Sequence, residues 1–230
     1  LSETDPLVTG KKPLPVEDAS GTPEGKHSAE LVNRWVDTAR KALAGEPKAN
    51  SLNLRGLAKD PGLPRFPDIY GMQAAAIAVY PMYKGLASLV GMEIVGDPNT
   101  LDEQIDLLTN RWNDFYFFFI NFKYTDSTGE DGDFKAKVKQ TEEVDACVPR
   151  ILSLNPDVVT VTGDHSTPSM LKSHSWHAVP TLIAAQNCRT DACQRFGETE
   201  CIGGGLGQFE AKHLMPLLLA NAGRLGKFGA

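Results

Sequence analysis

From residue 71 onward, short apolar runs alternate with stretches of helical spacing, and that alternation restricts the chain to an α/β fold. Gly71 to Tyr80 reads as a buried strand, residues 82–90 as a short helix, and Met92 to Val95 as a second strand. After Asp97-Pro98 a helix is expected to about Trp112, with Leu101, Ile105 and Leu108 on one face. Phe115 to Lys123 is almost wholly aromatic and aliphatic, the pattern of a strand covered on both faces. Asp133 to Leu154 reads as the longest helix, followed by strands at 157–162 and 179–184 and a last helix from about Glu210 to Leu225. Strands separated by helices predict a mostly parallel sheet with helices on both faces.

The chain before residue 71 is different. A helix is expected from Ser28, as N-cap, to about Ala44, with Leu31, Trp35, Ala39 and Leu43 on one face. Gly45-Glu46-Pro47 stops it, and residues 49–68 are loop-rich. The predicted division is 1–68 and 69–230. Leu1 to Gly25 is rich in Pro, Gly and charge and does not open on Met, so a processed chain or a piece of something longer is expected.

Composition removes several partners. A net charge of -6 without a Lys/Arg-rich block gives no electrostatic footprint for nucleic acid. The strongest apolar runs, 71–82 and 115–122, are far short of a bilayer span, so no membrane is expected. Four cysteines in 230 residues argue for reduced thiols and a cytoplasmic or organellar compartment. Cys188, Cys193 and Cys201 have spacings that match no zinc ribbon.

The chemistry-bearing residues gather at strand ends. Asp164 and His165 follow the run Val159-Thr160-Val161-Thr162-Gly163, at the kind of strand terminus where parallel sheets bind ligands. The acidic stretch 126–133 follows the strand at 115–123, and His174 and His177 precede the strand at 179–184. Asp and His together offer a divalent ion hard oxygen and borderline nitrogen. Two ions held by such ligands are a device for phosphoryl transfer. Each residue also has a plainer reading. Asp131 and Asp133 suit the N-terminus of the following helix, His177 suits packing, and Lys84, early in a helix after a strand, suits either an anion contact or a surface role.

Taken together, Thr4-Asp5-Pro6, Leu54-Arg55-Gly56, Tyr80-Pro81-Met82-Tyr83-Lys84-Gly85, Thr125-Asp126, Gly129-Glu130-Asp131-Gly132-Asp133-Phe134, Gly163-Asp164-His165-Ser166-Thr167-Pro168, His174-Ser175-Trp176-His177-Ala178-Val179-Pro180 and Leu214-Met215-Pro216 resemble the cofactor-independent phosphoglycerate mutases of the archaeal type, in the alkaline-phosphatase superfamily. The motifs run in order over nearly the whole chain.

The resemblance implies an alkaline-phosphatase-like fold and interconversion of 3- and 2-phosphoglycerate through a phosphoserine, with two divalent ions, Mn2+ or Mg2+. It implies Asp164 and His165 as ligands of one ion and Asp126, Glu130 and His174 as ligands of the other. Lys84 is implied to contact the transferred phosphoryl group, and Arg55, in what looks like a remnant of a cap domain, the phosphoglycerate. Two departures stand out. Glu130 occupies a place where many members have His, which shifts metal preference towards harder ions. No position matches the family's nucleophilic serine, so only the C-terminal part of a longer enzyme is expected, inactive alone, with an open sheet edge. Its partners would be the missing N-terminal half or a second copy. Two other classes remain: a non-catalytic subunit or metal- and phosphate-binding module, and another hydrolase of the superfamily.

Overall fold

The computed structural model describes residues 1–225, which form two compact units, Leu1–Leu63 and a second from Pro64 onward. In the first, α1 (Pro23–Leu43) is the only regular element. It starts five residues before the expected cap, because Thr22 accepts from the Gly25 N–H and a proline opens the first turn. Ser28 lies within the helix instead, donating to the Glu24 carbonyl. The buried stripe is also displaced from the expected one. Ala29 and Val36 are buried, whereas Leu31 and Trp35 are exposed. The helix packs on an extended segment, where Asn33 bonds both the N–H and the carbonyl of buried Val16. Thr4, 1% exposed, ties the unit's beginning to its end by accepting from the Leu54 N–H at 2.6 Å.

The second unit contains the expected alternation. After α2 (Phe66–Tyr70) come β1 (Ala74–Ala78), α3 (Pro81–Leu89), β2 (Glu93–Ile94), α4 (Leu101–Asn110), β3 (Phe117–Asn121), α5 (Tyr124–Asp131), α6 (Phe134–Ser153) and β4 (Val158–Val161). β5 (Leu182–Ala185), α7 (Glu198–Cys201) and α8 (Leu214–Asn221) complete it, with a single 3-10 turn leading into α8. β1 is the middle of a parallel sheet ordered β2-β1-β3, with Ala74 opposite Phe117 and Ala78 opposite Asn121. All five of its residues are buried.

Alternation along the strands gives each face its own cover. Ala75, Ile77, Phe118 and Ile120 pack against Ile105 and Leu108 of α4 and Cys147 and Ile151 of α6. Ala74 and Phe117 pack against Phe66 of α2 and Met215 and Leu219 of α8. This is the predicted fold class, a mostly parallel sheet with helices on both faces. Gln104, fully buried on α4, donates from Nε2 to the carbonyls of Ile77 (3.0 Å) and Asn121 (2.8 Å). It thereby links the carboxyl ends of β1 and β3, where the loops towards the chemistry begin.

Three local readings differ. The acidic stretch after β3 is helical: α5 occupies Tyr124–Asp131 and ends on Gly132 at φ 76°. Asp133 then caps α6 by accepting from the Ala136 N–H, as its position suggested. α1, at 21 residues, exceeds α6, at 20, so the expected longest helix is second by one residue. Finally, β4 and β5 pair antiparallel in a ribbon of their own, Val158 opposite Ala185 and Val161 opposite Leu182. No helix lies between them among the described residues, and a parallel return would need such a crossover.

Candidate metal centre

The carboxyl ends of β3 and β4 deliver the charged residues to one place. β3 leads into Lys123 and the first turn of α5, which carries Asp126. β4 ends at Val161, and Asp164 and His165 follow it directly. The chain then reverses: Ser166 and Ser175 form an antiparallel bridge, and that hairpin brings His174 back beside His165. The two imidazoles stack with ring centroids 3.7 Å apart.

Asp126, His165 and His174 each turn a ligand atom inward, all within 4.8 Å of one another. Two further expected residues border this group. Glu130 Oε1 lies 3.5 Å from His174 Nε2, and Asp164 Oδ2 lies 3.6 Å from His165 Nε2. The closest grouping therefore spans the two sets that the resemblance implied, since Asp126 Oδ1 lies 3.7 Å from His165 Nδ1 and 3.9 Å from His174 Nε2. One carboxylate oxygen and two imidazole nitrogens fit a divalent ion of the zinc or manganese kind, with Glu130 and Asp164 adding harder oxygen donors.

The surroundings hold Asp126 in the charge state suited to binding. Burial raises the Asp126 carboxyl, but the bonds it accepts from the Lys123 ammonium and Thr167 hydroxyl prevail and keep it below the usual carboxylate range. Lys123 is affected in the opposite sense. Burial lowers it, while Asp126 more than offsets that and keeps it cationic. Burial, and then the bond that Tyr83 donates to Asp164 Oδ2 at 2.5 Å, push its phenol well above its ordinary value, so the proton stays on the oxygen.

The two loops are fastened together behind the donors. Lys137, near the start of α6, donates to the carbonyls of Thr125 (2.8 Å) and Thr167 (3.0 Å). Gly129 makes that approach possible: a Cβ there would lie 2.3 Å from the Thr167 carbonyl oxygen.

The remaining candidate residues have local partners of their own. Lys84, in the first turn of α3, pairs with the Asp97 carboxylate. Arg55 belongs to the first unit, where it lies 3.8 Å from both Glu3 and Asp5. His177 is exposed, bonded to Ser175 Oγ and stacked on Trp176. Sequence reasoning missed Tyr83, Lys123, Gly129, Lys137 and Thr167. The spacing of Lys123 and Asp126, three apart at a helix start, is the one local signal that could have paired two of these groups.

Residues 51–221 match the profile of the Metalloenzyme superfamily. A Thermotoga maritima protein described as a probable 2,3-bisphosphoglycerate-independent phosphoglycerate mutase is 49% identical over the whole of this chain, which spans 57% of that relative. A Thermus thermophilus protein of the same description is 46% identical, with the same coverage of each chain. Among solved structures, a Pyrococcus horikoshii protein superposes with a TM-score of 0.75 at 31% identity, over 92% of this chain and 61% of the other. The cofactor-independent phosphoglycerate mutase of Thermoplasma acidophilum shares the fold, with a TM-score of 0.61 at 22% identity over 96% and 58% of the two chains. The donors at the ends of β3 and β4 all fall inside a profile that covers most of the chain, and the chain belongs to the Metalloenzyme superfamily.

Proposed function

We propose that this chain carries the metal-binding part of a phosphoglycerate mutase that interconverts 3- and 2-phosphoglycerate. The observation that supports this best is the convergence of Asp126, His165 and His174, bordered by Glu130 and Asp164, at the ends of two strands. Relatives described as probable mutases of this kind, 46–49% identical, favour phosphoglycerate as the substrate. The chain spans 57% of their length, and in this reading the serine that would take the phosphoryl group lies outside it.

In this reading two divalent ions, Mn2+ or Mg2+, would be held by Asp126, Glu130, Asp164, His165 and His174. Such ions neutralise charge on a transferring phosphoryl group. The chain's own groups then have separate tasks. Asp126 stays anionic beside Lys123, and Tyr83 holds Asp164 in place while retaining its proton. Lys84 would release Asp97 to meet the phosphoryl oxygens, and Arg55 would bind the glycerate.

The protein purified from its source, given Mn2+ and 3-phosphoglycerate, is expected to form 2-phosphoglycerate, followed by 31P NMR. Changing Asp164→Asn and His165→Gln together should remove both turnover and bound Mn2+. Unchanged metal content in that double variant would refute the ligand assignment. Release of inorganic phosphate in place of isomerisation would select a hydrolase. Turnover by the 230-residue chain alone would refute an external nucleophile.

A further inference from the structure

Thr167 is a small polar residue in the closest possible contact with two of the donors, and it is only 5% exposed. Its Oγ1 lies 2.5 Å from Asp126 Oδ1 and 2.9 Å from His165 Nδ1. A hydroxyl has one proton to give, and an ionised carboxylate can only accept. The Lys123 ammonium sits on the other oxygen of Asp126, so the carboxylate is an ion-paired acceptor on both sides. The hydroxyl proton is therefore committed to Asp126. What Thr167 offers His165 is a lone pair, and a ring nitrogen can meet a lone pair only as N–H.

We propose that Thr167 is a positioning residue that fixes the proton of neutral His165 on Nδ1 and so leaves Nε2 as the ring's open electron pair. That nitrogen is the one 3.6 Å from Asp164 Oδ2, whereas the 3.7 Å approach to Asp126 is made by the protonated Nδ1, so His165 serves the Asp164 side of the group. The significance of the open Nε2 rests on the metal-binding reading above, whereas the proton assignment rests on hydrogen-bond geometry alone. Outer partners of this kind orient metal-binding histidines and select their tautomer. The backbone around Thr167 is also restrained. Its carbonyl accepts from Lys137 Nζ, and the carbonyl of the preceding Ser166 accepts from the Ser175 N–H at 2.9 Å. The hydroxyl thus sits on a fixed base rather than on a free loop.

Long-range 1H–15N correlation of the metal-free chain at pH 8 reads the tautomer of each imidazole directly, with His165→Gln identifying the signals of residue 165. His165 is expected as the Nδ1–H form. Thr167→Val, of nearly the same shape, should move it towards Nε2–H, and Thr167→Ser should restore Nδ1–H. An Nε2–H ring in the unsubstituted chain overturns the inference, even if no variant folds. Retention of Nδ1–H in Thr167→Val overturns it too. Mn2+ titration is the separate arm: Thr167→Val should bind about 10–100-fold more weakly, with Thr167→Ser close to the unsubstituted chain. An unsubstituted chain that takes no Mn2+ refutes the metal-binding reading and leaves the tautomer result standing.

Discussion

The two β structures of the second unit are built on opposite terms. Every residue of β1 is buried, with Ile77 at 0% exposed, because helices cover both faces of its sheet. β4 and β5 form a ribbon in which no residue reaches that burial. The donors draw on both, Asp126 from beyond β3 and Asp164, His165 and His174 from beyond β4. Burial fixes the frame, while the ribbon side is fixed by polar bonds from Tyr83, Thr167 and Lys137. Stability and site geometry therefore reside in different kinds of interaction, and they should be separable by mutation.

The sharpest break is Ile77→Ala. Deleting a fully buried side chain from the middle strand should cost about 2–5 kcal/mol, read by denaturant unfolding. Val159→Ala in the half-exposed ribbon should cost clearly less. Equal losses would erase the distinction between the two structures. Gly129→Ala comes next. Its Cβ would meet the Thr167 carbonyl at 2.3 Å, so the loops must part, at a cost of about 1–3 kcal/mol. Mn2+ affinity should fall as well, and unaltered affinity in the Gly129→Ala variant would show that the two loops do not set the donor geometry.

The smallest effect concerns the loop after β5. Asp191 accepts from the N–H groups of Gly205 (2.7 Å) and Cys193 (2.9 Å), which hold its carboxyl below the usual range. A lowered folded value means that its contribution is complete above the unfolded value, about 3.9. It is lost as pH falls through the folded one. The Gly205 amide resonance should move in acid below about pH 4 while amides of β1 stay in place. A Gly205 signal indifferent to acid would place the loop's order elsewhere.

The sequence was most legible where one physical pattern decides an element. Continuous apolar runs marked β1 and β3, and helical spacing marked α4 and α6. Legibility failed where direction or polar contact decides. The ribbon's antiparallel sense lay in the lack of helical spacing between 162 and 181, a negative signal that strand alternation does not carry. α5 has almost no apolar stripe, so its polar residues read as a turn. Asp164, His165, His174 and the acidic stretch stood out at strand ends, the choice of five ligands came from family resemblance, and the structure brings those five to one place. Their supports could not be read in advance: Tyr83 meets Asp164 across 81 residues, and Thr167 meets Asp126 across 41.

Among the described residues β3 pairs on one side only and forms the edge of its sheet with the sequence Phe117-Phe118-Phe119-Ile120-Asn121. Its outer backbone groups offer a ready template to any other extended strand. Self-association at such an edge is a colloidal matter, distinct from thermodynamic stability. Burial of β1 and exposure of the β3 edge are separate properties, and a mutation that strengthens the core would leave that edge as it is.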